Sequence, residues 1–159
     1  MAPILQTQME MIKNFHLQLQ KICTPLGFDS LTVLAHACHE TGNLERVIGE
    51  NNYWGIKTPQ YSKWTGLVAK VITHEYVNRK KIKVIATFRD WATPKESIEW
   101  YCNFIKNNYK EAYQQRNNAF EYFPALVKYQ TKYATDPNYA AAAIERYKWL
   151  KKTFFQDKQ

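Results

Sequence analysis

Only one stretch of this chain reads as β-structure, and nearly everything around it reads as helix. Val68 to Val77 and Ile82 to Arg89 are rich in β-branched residues. The run Asn78-Arg79-Lys80-Lys81 between them predicts a hairpin turn. No other segment carries a strand signal, so the pattern is an α+β fold, mostly helical, with a single small hairpin.

The helical segments announce themselves by spacing and by caps. Leu5, Met9, Ile12, Phe15, Leu19 and Ile22 recur every three or four residues, an apolar stripe that Pro25 and Gly27 bring to an end. Asp29 or Ser30 caps a second helix, Leu31 to Thr41, with Gly42 placed just past its end. Thr93-Pro94-Lys95-Glu96 combines a capping box with proline at the first helical position, and Ile98, Tyr101, Cys102, Ile105 and Tyr109 continue that helix. A further helix is expected to begin near Pro124. Asp136-Pro137 opens the last one, which turns Tyr139, Ala143, Tyr147, Leu150 and Phe154 inward.

Composition narrows the class. With 159 residues, 45% hydrophobic and 23% charged, the chain has the make-up of one folded domain spanning 1–159, neither disordered nor fibrous. Lys and Arg number 22 against 14 Asp and Glu, a net charge of +8 that suits an anionic partner such as nucleic acid or cell wall. Tyr, Trp and Phe make up 15%, and their rings stack on sugars and bases alike. Cys23, Cys38 and Cys102 form no paired motif, which argues against a disulfide framework. No signal peptide and no membrane span are read, and the expectation is a monomer made in the cytoplasm. If its substrate lies outside, the protein leaves by lysis or another non-classical route, or the chain lacks its leader.

Glu40 breaks a local rule. A carboxylate in the last turn of a helix faces the negative end of the macrodipole, which costs about 0.3–1 kcal/mol. That field, with partial burial, raises a carboxyl pKa and suits a general acid. Glu40-Thr41-Gly42 is followed by Asn51-Asn52-Tyr53-Trp54-Gly55-Ile56-Lys57. Thr73-His74-Glu75-Tyr76, Phe88-Arg89-Asp90-Trp91 and Tyr133-Ala134-Thr135-Asp136-Pro137-Asn138-Tyr139 come after in order. This succession resembles glycoside hydrolase family 73, the peptidoglycan-cleaving β-N-acetylglucosaminidases, from about Leu31 to the last helix.

The resemblance implies a lysozyme-like fold with a cleft between a helical lobe and a hairpin lobe. It implies Glu40 as the catalytic acid and Glu75, on the first hairpin strand, as the second carboxylate. Tyr133 matches a tyrosine near the acid, placed to bond the substrate's acetamido group or to orient a carboxyl. Tyr53, Trp54, Trp64 and Trp91 are candidates for sugar stacking. Asn52 is counted with the substrate loop, although Asn51, Asn52 and Gly55 also have the character of loop-shaping residues. Glu45 and Glu50 are fallback carboxylates. Peptidoglycan glycan strands are the implied partner, with no specific nucleic acid, no membrane and no cofactor. The absence of wall-binding repeats is closer to a phage or mobile-element lysin than to a housekeeping autolysin.

Other readings remain open. A lytic transglycosylase-like or lysozyme-like muramidase also uses a glutamate at a helix end and would cut the other glycosidic bond. A non-catalytic basic module binding glycan or nucleic acid is the alternative outside enzymes, although Arg79-Lys80-Lys81 is the one tight basic run. His36, Cys38 and His39 beside Glu40 do not have the zincin spacing of two histidines four apart, so no metal site is read there.

Overall fold

The computed structural model describes residues 5–59, 61–128 and 133–156, and at position 75 the backbone alone. Helix α1, Gln6–Cys23, turns Ile12, Phe15, Leu19 and Cys23 into the interior, the stripe read from the sequence. A 3₁₀ turn at Thr24–Leu26 closes on Gly27, whose φ of 80° lies in the left-handed region that glycine tolerates best. Helix α2, Ser30–Thr41, is capped by Asp29, whose carboxylate accepts from the Leu31 and Thr32 amides. Ten of its twelve residues are buried. A helix apolar on every side has to be surrounded, and α2 is the central rod of the molecule.

Strands β1, Leu67–Val77, and β2, Lys80–Asp90, form one antiparallel hairpin. The turn is tighter than expected. Asn78 and Arg79 carry it alone at φ of 50° and 65°, the positive values that a two-residue hairpin turn requires, while Lys80 and Lys81 already pair with Val77 and Tyr76. One bridge from Lys57 to Phe88 ties the base of the hairpin to the preceding loop. Its outer half is exposed, including Ile72, Tyr76 and Ile85.

Helix α3, Pro94–Asn108, begins as its capping box predicts, with the Thr93 hydroxyl accepting from the Glu96 amide at 3.2 Å. A short α4, Lys110–Gln114, follows; five residues are too few to show a period. Helix α5, Ala119–Val127, corrects the expected start near Pro124. Asn118 is the true cap, accepting from the Phe120 amide, and Pro124 sits within the helix, where it supplies no N–H to the Phe120 carbonyl. Helix α6, Tyr139–Phe154, is preceded by a turn in which the Asp136 carboxylate accepts from the Asn138 amide. The main packing of α2 is against α1 and α6, with α5 lying on α6. All three cysteines are free and buried, Cys23 and Cys102 with sulfurs 3.7 Å apart. Among the described residues no helix is long and apolar enough to cross a membrane.

Candidate active site

Because α2 is buried along its length, its last turn delivers Glu40 to the rim of the core. The side chain keeps 22% of its exposure. Tyr139, the first residue of α6, donates a short hydrogen bond to Glu40 Oε1. His36, one turn back on α2, lies between two phenols, with Nε2 2.8 Å from the Tyr139 oxygen and Nδ1 2.7 Å from the Tyr101 oxygen. Tyr101 in turn meets the Tyr122 hydroxyl at 2.5 Å. With Glu40 ionised, Tyr139 must donate to it. The remaining polarity follows: His36 Nε2–H donates to Tyr139, Tyr101 donates to His36 Nδ1, and Tyr122 donates to Tyr101.

Burial dominates the electrostatics. It raises the Glu40 carboxyl above its ordinary range, and the Tyr139 hydrogen bond partly opposes that rise. It lowers His36 to about 3, with nearby His39 adding to the effect. His36 is therefore neutral at working pH, and its 4.0 Å approach to Glu40 is not an ion pair. The Tyr139 phenol is pushed far upward by burial and by the Glu40 charge, so it remains a donor.

The loop after α2 shapes the other wall. Asn52 is fully buried; its Nδ2 donates to the Ile56 and Arg89 carbonyls, and its Oδ1 accepts from the Trp54 and Ile56 amides. The Asp90 carboxylate accepts from the Glu50, Asn51 and Trp91 amides and so fastens this loop to the end of β2. At Gly55, with φ of 65°, a side chain would bring its Cβ within 3.3 Å of Glu40 Oε2. Glycine there leaves the carboxyl open. Beside it runs a groove of about 430 Å³ lined by Gly55, Lys57, Arg89, Phe104, Tyr109 and Tyr133.

Several expected substrate contacts are instead structural. Trp54 is fully buried and stacked on Tyr101 at 4.2 Å, Tyr53 is stacked on Phe15 at 4.3 Å, and Trp91 is 6% exposed. Neither those rings nor the Asn52 amide is available to a sugar. Trp64 is half-buried, edge-on to Trp91 and Trp100. Tyr133 borders the groove, but its hydroxyl donates to the Trp54 carbonyl at 2.6 Å; the phenol bonded to Glu40 is Tyr139. Glu45 and Glu50 line a different depression, with Met11 and Phe15, and not the groove beside Gly55.

Glu75 pairs with Ile82, three residues before Asn78, in the alternate set that includes Val71 and Thr73. Its side chain lies outside the described residues. Ala69, at the hairpin base, is six residues and roughly 20 Å of strand away from it. Among the described residues no group of three or more His, Cys, Asp or Glu side chains could hold a metal ion. Sequence reading missed Tyr139 and His36 as site residues, because each looks like an ordinary inward residue of an amphipathic helix. A histidine and a tyrosine turned inward without obvious apolar purpose were the available signal.

Residues 17–152 match the family model described as mannosyl-glycoprotein endo-beta-N-acetylglucosaminidase, the glucosaminidase domain. The chain is 33% identical over 129 residues to the peptidoglycan hydrolase FlgJ of Pseudomonas aeruginosa, covering 76% of this chain and 31% of that protein. It is 32% identical over 127 residues to the FlgJ of Vibrio cholerae, covering 76% and 37%. The chain thus spans about a third of the length of these curated relatives. The glycoside hydrolase domain of Salmonella typhimurium FlgJ superimposes with a TM-score of 0.72 at 27% identity, covering 92% of this chain and 99% of that one. The catalytic domain of the Listeria monocytogenes autolysin Auto shares the fold, with a TM-score of 0.70 at 22% identity over 98% of this chain and 91% of that one. On the extent of these matches the chain belongs to the glucosaminidase family, glycoside hydrolase family 73.

Proposed function

We propose that this protein is a peptidoglycan hydrolase that cleaves the β-1,4 bond between N-acetylglucosamine and N-acetylmuramic acid, with Glu40 as the general acid. The observation that carries the reading is the Glu40 carboxyl itself, raised by burial yet bonded to Tyr139 at the edge of an aromatic groove. In its neutral form it holds the proton that the leaving sugar's oxygen needs. Once that proton is given up, the Tyr139 hydroxyl stabilises the carboxylate left behind. The net charge of +8 concentrates the enzyme on anionic wall polymers, an attraction that salt weakens.

Mass spectrometry of muropeptides released from purified wall tests the bond. N-acetylglucosamine at the new reducing end supports the proposal, whereas N-acetylmuramic acid there favours a muramidase. The second step is given either to Glu75, activating water, or to the substrate's own acetamido oxygen. Glu75→Gln decides between them by steady-state kinetics. A loss of about a hundredfold in kcat with unchanged KM assigns water activation to Glu75. A much smaller loss assigns the attack to the acetamido group.

Tyr139→Phe removes the donor that holds the Glu40 pKa down. The carboxyl then keeps its proton to higher pH, so the alkaline limb of the kcat profile moves upward. The rate at the optimum is expected to fall about tenfold or more, because the carboxylate formed during the reaction loses its charged hydrogen bond. A pH–rate profile of the variant checks both effects; a limb that moves toward acid overturns the assignment.

A further inference from the structure

Arg89 takes no part in the chemistry described above, yet it faces the same groove. Its backbone is pinned to the loop on both sides: its amide donates to the Ile56 carbonyl at 3.0 Å, and its carbonyl accepts from Asn52 at 2.8 Å. The guanidinium is held against two indoles, 5.1 Å from the Trp64 ring and 5.2 Å from the Trp100 ring. Its Nη2 reaches the Ser62 hydroxyl at only 3.4 Å, and its buried Nε has no hydrogen-bond partner. Among the described residues no carboxylate lies within ion-pair distance of it. Lys57, on the bridge that ties loop to hairpin, lines the same groove and adds a second positive charge.

We infer that Arg89, with Lys57 beside it, is a carboxylate-binding element of the groove and makes the enzyme select glycans that bear a carboxylate on the muramoyl substituent. This rests on the peptidoglycan reading above. A guanidinium held against two indole faces is already partly ordered and partly desolvated, so binding costs less further entropy, and its planar fork matches a carboxylate with two parallel hydrogen bonds. Sugar hydroxyls and acetamido groups are neutral and give no reason to keep in one cleft two cations that no described carboxylate pairs. The muramoyl residue supplies the missing charge in either of two forms: the lactyl carboxylate itself on bare strands, or the carboxylates of the stem peptide on intact ones.

The test compares kcat/KM, from release of new reducing ends, on bare strands stripped of peptides, on the same strands with their lactyl carboxyls reduced to alcohols, and on intact wall. For the wild type, bare strands are expected to exceed reduced strands by about tenfold or more, the worth of one charged hydrogen-bonded pair. In Arg89→Gln that ratio collapses toward one, and Arg89→Lys, which keeps the charge but not the fork, gives an intermediate value. A preference confined to intact wall and abolished by Arg89→Gln makes the stem peptide the source of the carboxylate. Equal losses on every substrate in both variants mark Arg89 as a structural prop and overturn the inference. So does a wild type that cuts reduced and unreduced strands equally well. A wild type that cuts none of these substrates removes the peptidoglycan reading, and this inference falls with it.

Discussion

Glu40→Gln is expected to fold normally and to lose about a hundredfold or more in turnover on purified wall. The amide keeps the size of the side chain and an oxygen to accept from Tyr139, but it has no acidic proton to give. Its stability should also change in a direction that burial dictates. The folded protein holds the Glu40 proton more tightly than the unfolded chain does. Stability from that group is therefore present below the unfolded carboxyl pKa and lost as pH rises through the raised folded value. Above the raised folded value, removing the carboxylate should then raise stability by roughly half a kcal/mol, counting the relieved helix-end repulsion, and the gain should vanish at acid pH. Thermal melts at two pH values, paired with wall-clearing assays, read both effects. Retained clearing overturns the acid assignment, and a large fall in melting temperature makes Glu40 structural instead.

The largest loss of stability is expected from Asp90→Ala. Its carboxylate receives the Glu50, Asn51 and Trp91 amides and is itself buried, so truncation leaves three backbone donors without partners. At about 1–3 kcal/mol per orphaned buried donor, and with the Asn51 and Trp91 amides the buried two, the loss is at least about 2 kcal/mol, or roughly 6 °C in melting temperature for a chain of this size. Activity should fall as well, since the same loop carries Gly55 against Glu40. A variant that melts within about 2 °C of wild type would mean that water replaces the carboxylate at those amides.

Much of the helical frame was legible because its signals are local. The stripe of α1, the Asp29 cap of α2 and the capping box of α3 each lie within a few consecutive residues. Glu40 drew notice for the same reason, since a carboxylate against a helix C-terminus contradicts its own surroundings, but its proposed role comes from the motifs that follow it. What stayed hidden depends on partners distant in sequence. Tyr139 meets Glu40 across 99 positions, and His36 meets Tyr139 across 103. The aromatic candidates failed for a related reason. Trp54 and Trp91 look like sugar platforms in a string of letters, but the fold turns them inward, and only burial separates a platform from a core residue. Pro124 misled through a rule that is true on average: proline favours the first turn of a helix, yet Asn118 had already begun this one.

The hairpin joins the rest of the protein mainly at its base, through the Lys57 bridge and the hydrogen bonds between the Ile56–Thr58 strip and β2. Beyond that point its strands chiefly contact each other, and an isolated pair of strands is marginally stable in water. The cost of opening therefore differs steeply along the chain. Amides near Asn78 should trade their protons for deuterons through local unfolding while those of α2 wait for the whole molecule to open. Such a melting arm can open and close while the helical body that holds Glu40 stays intact.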